Sequence, residues 1–175
     1  RESQFSLFCL ILISSSLSFF LSRKATTTTN NDNMKRKKIL LKNSPHTLLL
    51  SPRNASYEQG VEFWVVNTDA QALVNAQTVN VCQIGEQVTR GLGCGGNPEL
   101  GEVAANESRD KLNEIVKGSD LVFITAGMGG GTGSGSAPVV ARMSKEAGNL
   151  TVGVVTYPFS FEGRRRIVQA TEAID

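Results

Sequence analysis

The sequence predicts an α/β domain built on a parallel, helix-covered sheet, and three observations predict it. The apolar runs 61–66, 121–126 and 150–156 have the length and β-branched content of buried strands. Segments with helical periodicity and capping signals separate them. Glycine-rich or polar loops follow the carboxyl ends of these runs, the edge at which open parallel sheets bind ligands.

The first run, Val61-Glu62-Phe63-Trp64-Val65-Val66, ends at Asn67-Thr68-Asp69. That triplet offers a helix N-cap and also a ribose or phosphate contact. A short helix is expected over 69–76 and another over 84–92, the latter running into Gly91-Leu92-Gly93-Cys94-Gly95-Gly96-Asn97-Pro98. From there Asn97 is a good N-cap, Pro98 suits the first helical position, and Glu99 and Glu102 favour the helix dipole. One helix to Val116 is expected, with Leu100, Val103, Ala104, Leu112, Ile115 and Val116 on one face and Glu107–Lys111 as an i,i+4 surface pair. Gly118 closes it.

After the run 121–126 comes Gly127-Met128-Gly129-Gly130-Gly131-Thr132-Gly133-Ser134-Gly135-Ser136-Ala137-Pro138, with six glycines in nine positions. Without Cβ atoms such a backbone takes φ > 0 and approaches a ligand closely, so successive N–H groups can converge on an anion. A helix over 137–147, opened by Pro138 and stopped by Gly148, would add its unpaired amides and positive dipole end. A linker would not be framed by a buried strand and a helix. The run 150–156 leads to Tyr157-Pro158-Phe159-Ser160-Phe161-Glu162-Gly163 and a last helix carrying Arg164-Arg165-Arg166.

Composition narrows the chemistry. The 175 residues carry a net charge of +2, but residues 1–58 stand at +6 and residues 59–175 at −4. The globular part is mildly acidic, which argues against nucleic acid as its partner. Cys9, Cys82 and Cys94 are an odd count without C-x-x-C spacing, which fits neither a disulfide framework nor a zinc site. The only histidine, His46, precedes residue 59, so Ser-His-Asp and Cys-His arrangements are excluded from the part that follows.

Residues 1–58 read as a targeting, disordered or non-homologous front segment. The apolar stretch 5–21 is interrupted by five serines, and Arg23-Lys24, a threonine run and Lys35-Arg36-Lys37-Lys38 follow. A membrane span is weakened by the serines, and a secretory signal by the basic residues lying after the apolar core. An organellar transit peptide fits the hydroxylated, basic, acid-poor composition best. A front that is not natural protein sequence also fits a chain beginning with Arg, with Met34 as an internal start.

A Walker A loop requires Gly-x4-Gly-Lys-Ser/Thr, and no lysine lies between 118 and 144. The literal G-x-G-x-x-G at Gly91, Gly93 and Gly96 follows a helix-like segment instead of a strand, so it fails as a dinucleotide fingerprint. Gly-Gly-Gly-Thr-Gly-Ser-Gly at 129–135, by contrast, resembles the signature loop of the tubulin/FtsZ superfamily. Residues 60–175 resemble FtsZ, the polymerising GTPase of bacterial and plastid division, almost continuously. The stretches 67–73, 89–98, 118–120 and 156–166 carry the likeness in the same order.

The resemblance implies a partial Rossmann-like sheet with helices on both faces, a partial GTP-binding domain over 59–175, and GTP as ligand, with Mg2+ able to accompany it. It assigns the phosphates to the amides of Gly129, Gly130, Gly131, Thr132 and Gly133 and to the Thr132 hydroxyl. Gly95, Gly96 and Asn97 would meet them from a second loop. Asn67 and Asp69 would lie by the nucleotide and the subunit contact, and Glu162 and Arg166 would touch the nucleoside. Asp69 reads equally as a plain N-cap, and Arg164–Arg166 as a solvated helix face.

The family's first strand and its glycine loop have no counterpart in Ser51-Pro52-Arg53-Asn54-Ala55-Ser56-Tyr57 just ahead of Gly60. The sheet is therefore expected to lack its first strand, and the family's central helix and acidic hydrolysis loop would fall beyond Asp175. The implied partners are copies of the chain and other FtsZ-type subunits in filaments, with membranes reached only through division partners. The implied location is the chloroplast stroma, at the division ring, with the cytoplasm as alternative. Two functional readings remain: a fragment of a plastid division GTPase that hydrolyses GTP at subunit junctions, or a truncated homologue that only binds nucleotide weakly or contacts filaments. No catalytic residue is expected within this stretch.

Overall fold

A computed structural model of the chain describes residues 9–13, 37–41, 61–74, 76 and 80–175. Among the described residues six strands form one sheet: β1 (Cys9–Ile13), β2 (Lys37–Leu41), β3 (Val61–Asn67), β4 (Asn80–Gln83), β5 (Leu121–Gly127) and β6 (Leu150–Thr156). Their order is β1-β6-β5-β2-β3-β4, and all five pairings are parallel. The helices are α1 (Ala70–Val74), α2 (Glu86–Thr89), α3 (Pro98–Glu107), α4 (Arg109–Val116), α5 (Gly131–Glu146) and α6 (Arg164–Ile174), with a 3-10 turn at Ser160–Glu162 before α6.

The expected absence of a strand ahead of residue 59 is corrected. Lys37–Leu41 lies at the centre of the sheet, with Leu40 in register with Trp64 of β3 and Ile124 of β5. The apolar triplet Ile39-Leu40-Leu41 sits beside the basic cluster 35–38, and a glycine loop was the wrong marker for it. Of the basic cluster 35–38, Lys37 and Lys38 belong to that strand, and positions 35 and 36 lie outside the described residues. Cys9–Ile13, within the apolar stretch weighed as a leader or span, pairs with Val152–Thr156 at the sheet edge. Among the described residues no helix is long and apolar enough to cross a membrane. The remainder of the front segment, including His46 and the 51–57 stretch, lies outside the described residues.

Alternation along the strands puts apolar side chains on both faces of the sheet. Trp64 and Val66 of β3 pack with Val122, Ile124, Leu112, Ile115, Val140 and Met143 in the main core. Phe63 and Val65 turn the other way, onto Leu73 of α1 and Ala76. Helices on both faces follow. At the far edge Asn149 Nδ2 donates to the Val116 carbonyl at 2.8 Å and Thr151 Oγ1 donates to Ser144 Oγ at 2.9 Å, while the buried Ser119 hydroxyl has no partner among the described residues.

Two helical boundaries and one side-chain pair differ from expectation. The helix from Pro98 breaks at Ser108, whose hydroxyl accepts from Gly85 N–H at 2.9 Å, so α3 and α4 are separate. The expected Glu107–Lys111 pair does not form. Glu107 instead accepts the amides of Gln87 and Val88, capping α2, and Lys111 meets Glu86 at 2.7 Å. That exposed ion pair raises the Lys111 pKa above its ordinary value. Helix α5 begins at Gly131, six residues ahead of the expected start, and Pro138 lies inside it.

Candidate functional site

The early start of α5 converts half of the glycine loop into helix, and packing explains why glycine tolerates it. A Cβ built on Gly101 of α3 would lie 2.5 Å from the Gly131 carbonyl oxygen and 3.3 Å from Gly135 Cα. On Gly131 it would lie 2.7 Å from Cys94 Cβ and 2.9 Å from Asn97 N. On Gly135 it would meet the Pro98 carbonyl oxygen and stand 2.7 Å from Glu102 N. Helices α3 and α5 therefore touch backbone to backbone, which only glycine allows, and this offsets glycine's poor helix propensity.

The contact brings the amino ends of two helices together. Asn97 caps α3, its side chain accepting from Glu99 N–H at 3.0 Å. Gly130 caps α5 and has no side chain to accept from the first turn. The amides of Gly130, Gly131, Thr132 and Gly133 come before the first intrahelical donor and are left for a ligand. Gly129 differs from what the resemblance implies: its amide donates to Ser134 Oγ at 2.8 Å. With φ +86°, Gly129 shapes the turn and brings the loop against Arg166 and Pro158.

Beside this end lies the turn 94–97, closed by Asn97 N–H to the Cys94 carbonyl at 2.9 Å. Gly95 and Gly96 hold φ +55° and +78°, and nothing stands within 4 Å of where their Cβ atoms would be. Gln169 of α6 reaches the Gly96 carbonyl at 3.2 Å. The glycine turn after β5, the turn 94–97 and the segment leading into α6 thus meet at one edge of the sheet. The glycine turn after β5 sits where the chain order reverses, between β5 and β2.

The remaining predicted residues hold loop structure. Asn67, 4 % exposed, accepts the amides of Thr68 and Asp69 on Oδ1. Asp69 Oδ1 accepts the amides of Gln71 and Ala72, so Asp69 caps α1. Glu162 joins Phe159 N–H at 3.0 Å to Arg166 Nη1 at 2.7 Å, making an exposed pair at the start of α6. Thr132 is buried, and its Oγ1 lies 2.8 Å from Thr68 Oγ1.

Sequence reasoning passed over Thr68, Cys94, Ser134 and Gln169. Thr68 stood inside a noted triplet, but nothing local marks it as the partner of a residue 64 positions away. Among the described residues no group of three or more His, Cys, Asp or Glu side chains could hold a metal ion. An open hollow of about 780 Å³ beside β4 is lined by Trp64, Leu73, Cys82, Lys111 and Ile115. Burial there raises the Cys82 thiol pKa.

What this arrangement offers is a cradle for an anion: four free amides, two helix dipoles with their positive ends adjacent, and an open face. Comparison with known proteins agrees with it. The family "Tubulin/FtsZ family, GTPase domain" matches residues 25–175, a region that includes β2. An empty FtsZ dimer from M. jannaschii is 42% identical with a TM-score of 0.75, over 81% of this chain and 41% of that one. The GDP-bound CetZ1 monomer from Haloferax volcanii is 30% identical with a TM-score of 0.59, over 64% of this chain and 37% of that one. CetZ2 from the same organism, a protofilament with GTPγS bound, is 25% identical with a TM-score of 0.68, over 79% and 45% respectively. The chain thus spans about two fifths of the length of these relatives. With its parallel α/β sheet and its glycine turn at the chain reversal, the chain belongs to the tubulin/FtsZ family, over that family's GTPase domain.

Proposed function

We propose that this chain forms the phosphate-holding part of a GTP-binding protein that assembles into filaments. One observation carries the reading: the uncapped first turn of α5, with the free amides of Gly130–Gly133 beside the open turn at Gly95 and Gly96. An anion there meets unpaired donors and two positive helix ends without a lysine. The relatives seen with GDP and with GTPγS support a guanine nucleotide as the anion's source.

Each residue has a physical role in that reading. The amides of Gly130, Gly131, Thr132 and Gly133 and the Thr132 hydroxyl bind phosphate oxygens. Gly95, Gly96 and Asn97 border the phosphates from the second loop. Glu162 and Arg166 present a charged pair to the nucleoside, and Gly129 keeps the turn closed through Ser134. Mg2+ would be held chiefly by the phosphates, since the described residues supply no cluster of ligands for it.

Asn67 and Asp69 lie at the same edge and would border a neighbouring subunit. The dimeric FtsZ and the CetZ2 protofilament support self-association. GTP hydrolysis would then be completed across the junction by an acidic loop of the adjoining subunit. A plastid division role and a stromal location are part of the proposal, supported by the hydroxylated, basic, acid-poor composition of the front segment, residues 1–58.

The test is competition binding of the full chain with a fluorescent GTP analogue, displaced by GTP or by ATP. GTP is expected to displace it at far lower concentration, and equal potency of ATP sinks the guanine assignment. Sedimentation with and without GTP tests assembly in the same samples, and identical profiles would remove the filament reading.

A further inference from the structure

Behind the phosphate cradle lies a buried chain of three polar side chains. The Cys94 thiol, on a residue 5 % exposed, donates to Thr68 Oγ1 at 3.4 Å. Thr68, 0 % exposed, has its Oγ1 2.8 Å from Thr132 Oγ1. Thr132 occupies the first turn of α5, among the amides that the proposed function gives to phosphate. The Thr68 backbone is held in place on both sides: its amide donates to Asn67 Oδ1 at 2.8 Å, and its carbonyl accepts from Thr89 Oγ1 at 3.3 Å.

We propose that Cys94, Thr68 and Thr132 form a directed relay that aims the Thr132 hydroxyl proton at a bound phosphate, making Thr68 a positioning residue. The proposal rests on the nucleotide-binding reading above. Its direction follows from counting protons. A hydroxyl has one proton and two lone pairs, while a thiol is a weak donor and a weaker acceptor. With the thiol as donor to Thr68 Oγ1, Thr132 Oγ1 is the remaining partner that can accept the buried Thr68 proton, so that proton points to Thr132. The Thr132 proton is then free, and a phosphate oxygen takes it. In the reverse order Thr132 spends its proton on Thr68 and turns a lone pair toward the anion, which repels it. Burial strengthens the preference, because no water competes for the Thr68 hydroxyl.

The test measures GTP affinity of the full chain, with thermal melts to normalise for folded protein. Thr68→Val, which keeps shape and removes the hydroxyl, is expected to weaken GTP binding roughly fivefold or more. Thr68→Ser is expected to restore it. In a Thr132→Val background, Thr68→Val should add nothing, because the proton it orients is gone. An equal loss in both backgrounds would mean that Thr68 is merely structural and would overturn the relay. If Thr68→Val does not fold, the same cycle with Cys94→Ala and Thr132→Val replaces it. A small loss confined to the Thr132 background then supports the relay, and an additive loss overturns it. Absence of GTP binding by the unaltered chain would fell the nucleotide reading and the relay together, whereas normal binding with additive losses removes the relay alone.

Discussion

Gly135, in the second turn of α5, sits so close to Pro98 that a Cβ on it would collide with the Pro98 carbonyl oxygen and crowd Glu102 N at 2.7 Å. The glycines of the signature run are thus divided between two jobs. Gly130, Gly131 and Gly133 lie where α5 leaves amides free, while Gly135, and Gly131 again, let α5 meet α3 at Gly101. Both jobs serve one end, because the close contact holds the two helix amino ends side by side.

Replacing Gly135 by alanine gains helix propensity and loses the contact. Overpacking against backbone atoms, which cannot rotate away, should destabilise the fold by about 1–3 kcal/mol despite that gain. Urea denaturation of the full chain checks it. A stability equal to or above that of the unaltered chain would show that the helices can separate at no cost.

Thr132→Ala removes a hydroxyl that the proposed function places on phosphate. Loss of one hydrogen bond to a charged oxygen is worth about 1.5–3 kcal/mol, or roughly tenfold or more in GTP affinity. Titration with a fluorescent GTP analogue reads it directly, and unchanged affinity would take Thr132 out of the site.

Asp69 separates capping from ligand or subunit roles. Its carboxylate accepts two amides of α1, so Asp69→Ala should cost about 1 kcal/mol. Asp69→Asn keeps a capping oxygen and should melt within a few tenths of a kcal/mol of the unaltered chain. A change in GTP-dependent sedimentation in Asp69→Asn, with unchanged stability, would assign the charge to the subunit contact. Identical sedimentation would leave Asp69 as a cap.

Glu107 offers a test of tertiary capping. Gly85 before α2 has no side chain to cap that helix, and both Glu107 oxygens accept its amides, at 3.2 Å from Gln87 N and 3.1 Å from Val88 N. Glu107→Ala should lower stability by about 0.5–2 kcal/mol, as for a lost N-cap, and protease cleavage near Arg90 should quicken. Unaltered cleavage would mean that α2 is held by its other contacts.

Strands β3, β5 and β6 were legible from apolar runs alone, since burial on both faces writes itself into consecutive residues. The glycine turn was legible as a candidate anion site because its composition and its place after a strand are local facts, and the missing lysine separated it from a Walker loop. Asn97 as a cap and Gly118 and Gly148 as stops were equally local.

What needed the tertiary structure were relations between distant residues. Lys37–Leu41 became the central strand because β3 and β5 both had an edge for it, not through any mark of its own. Helix α5 started at Gly131 because α3 lies against it, which propensity cannot foresee. Glu107 chose α2 over its own i+4 lysine, and Thr68 met Thr132 from another strand's loop. Sequence by itself determined which segments would be buried and where an anion could sit. Only packing decided which amides stayed free to hold it, because a donor is free or spent according to what the rest of the chain brings beside it.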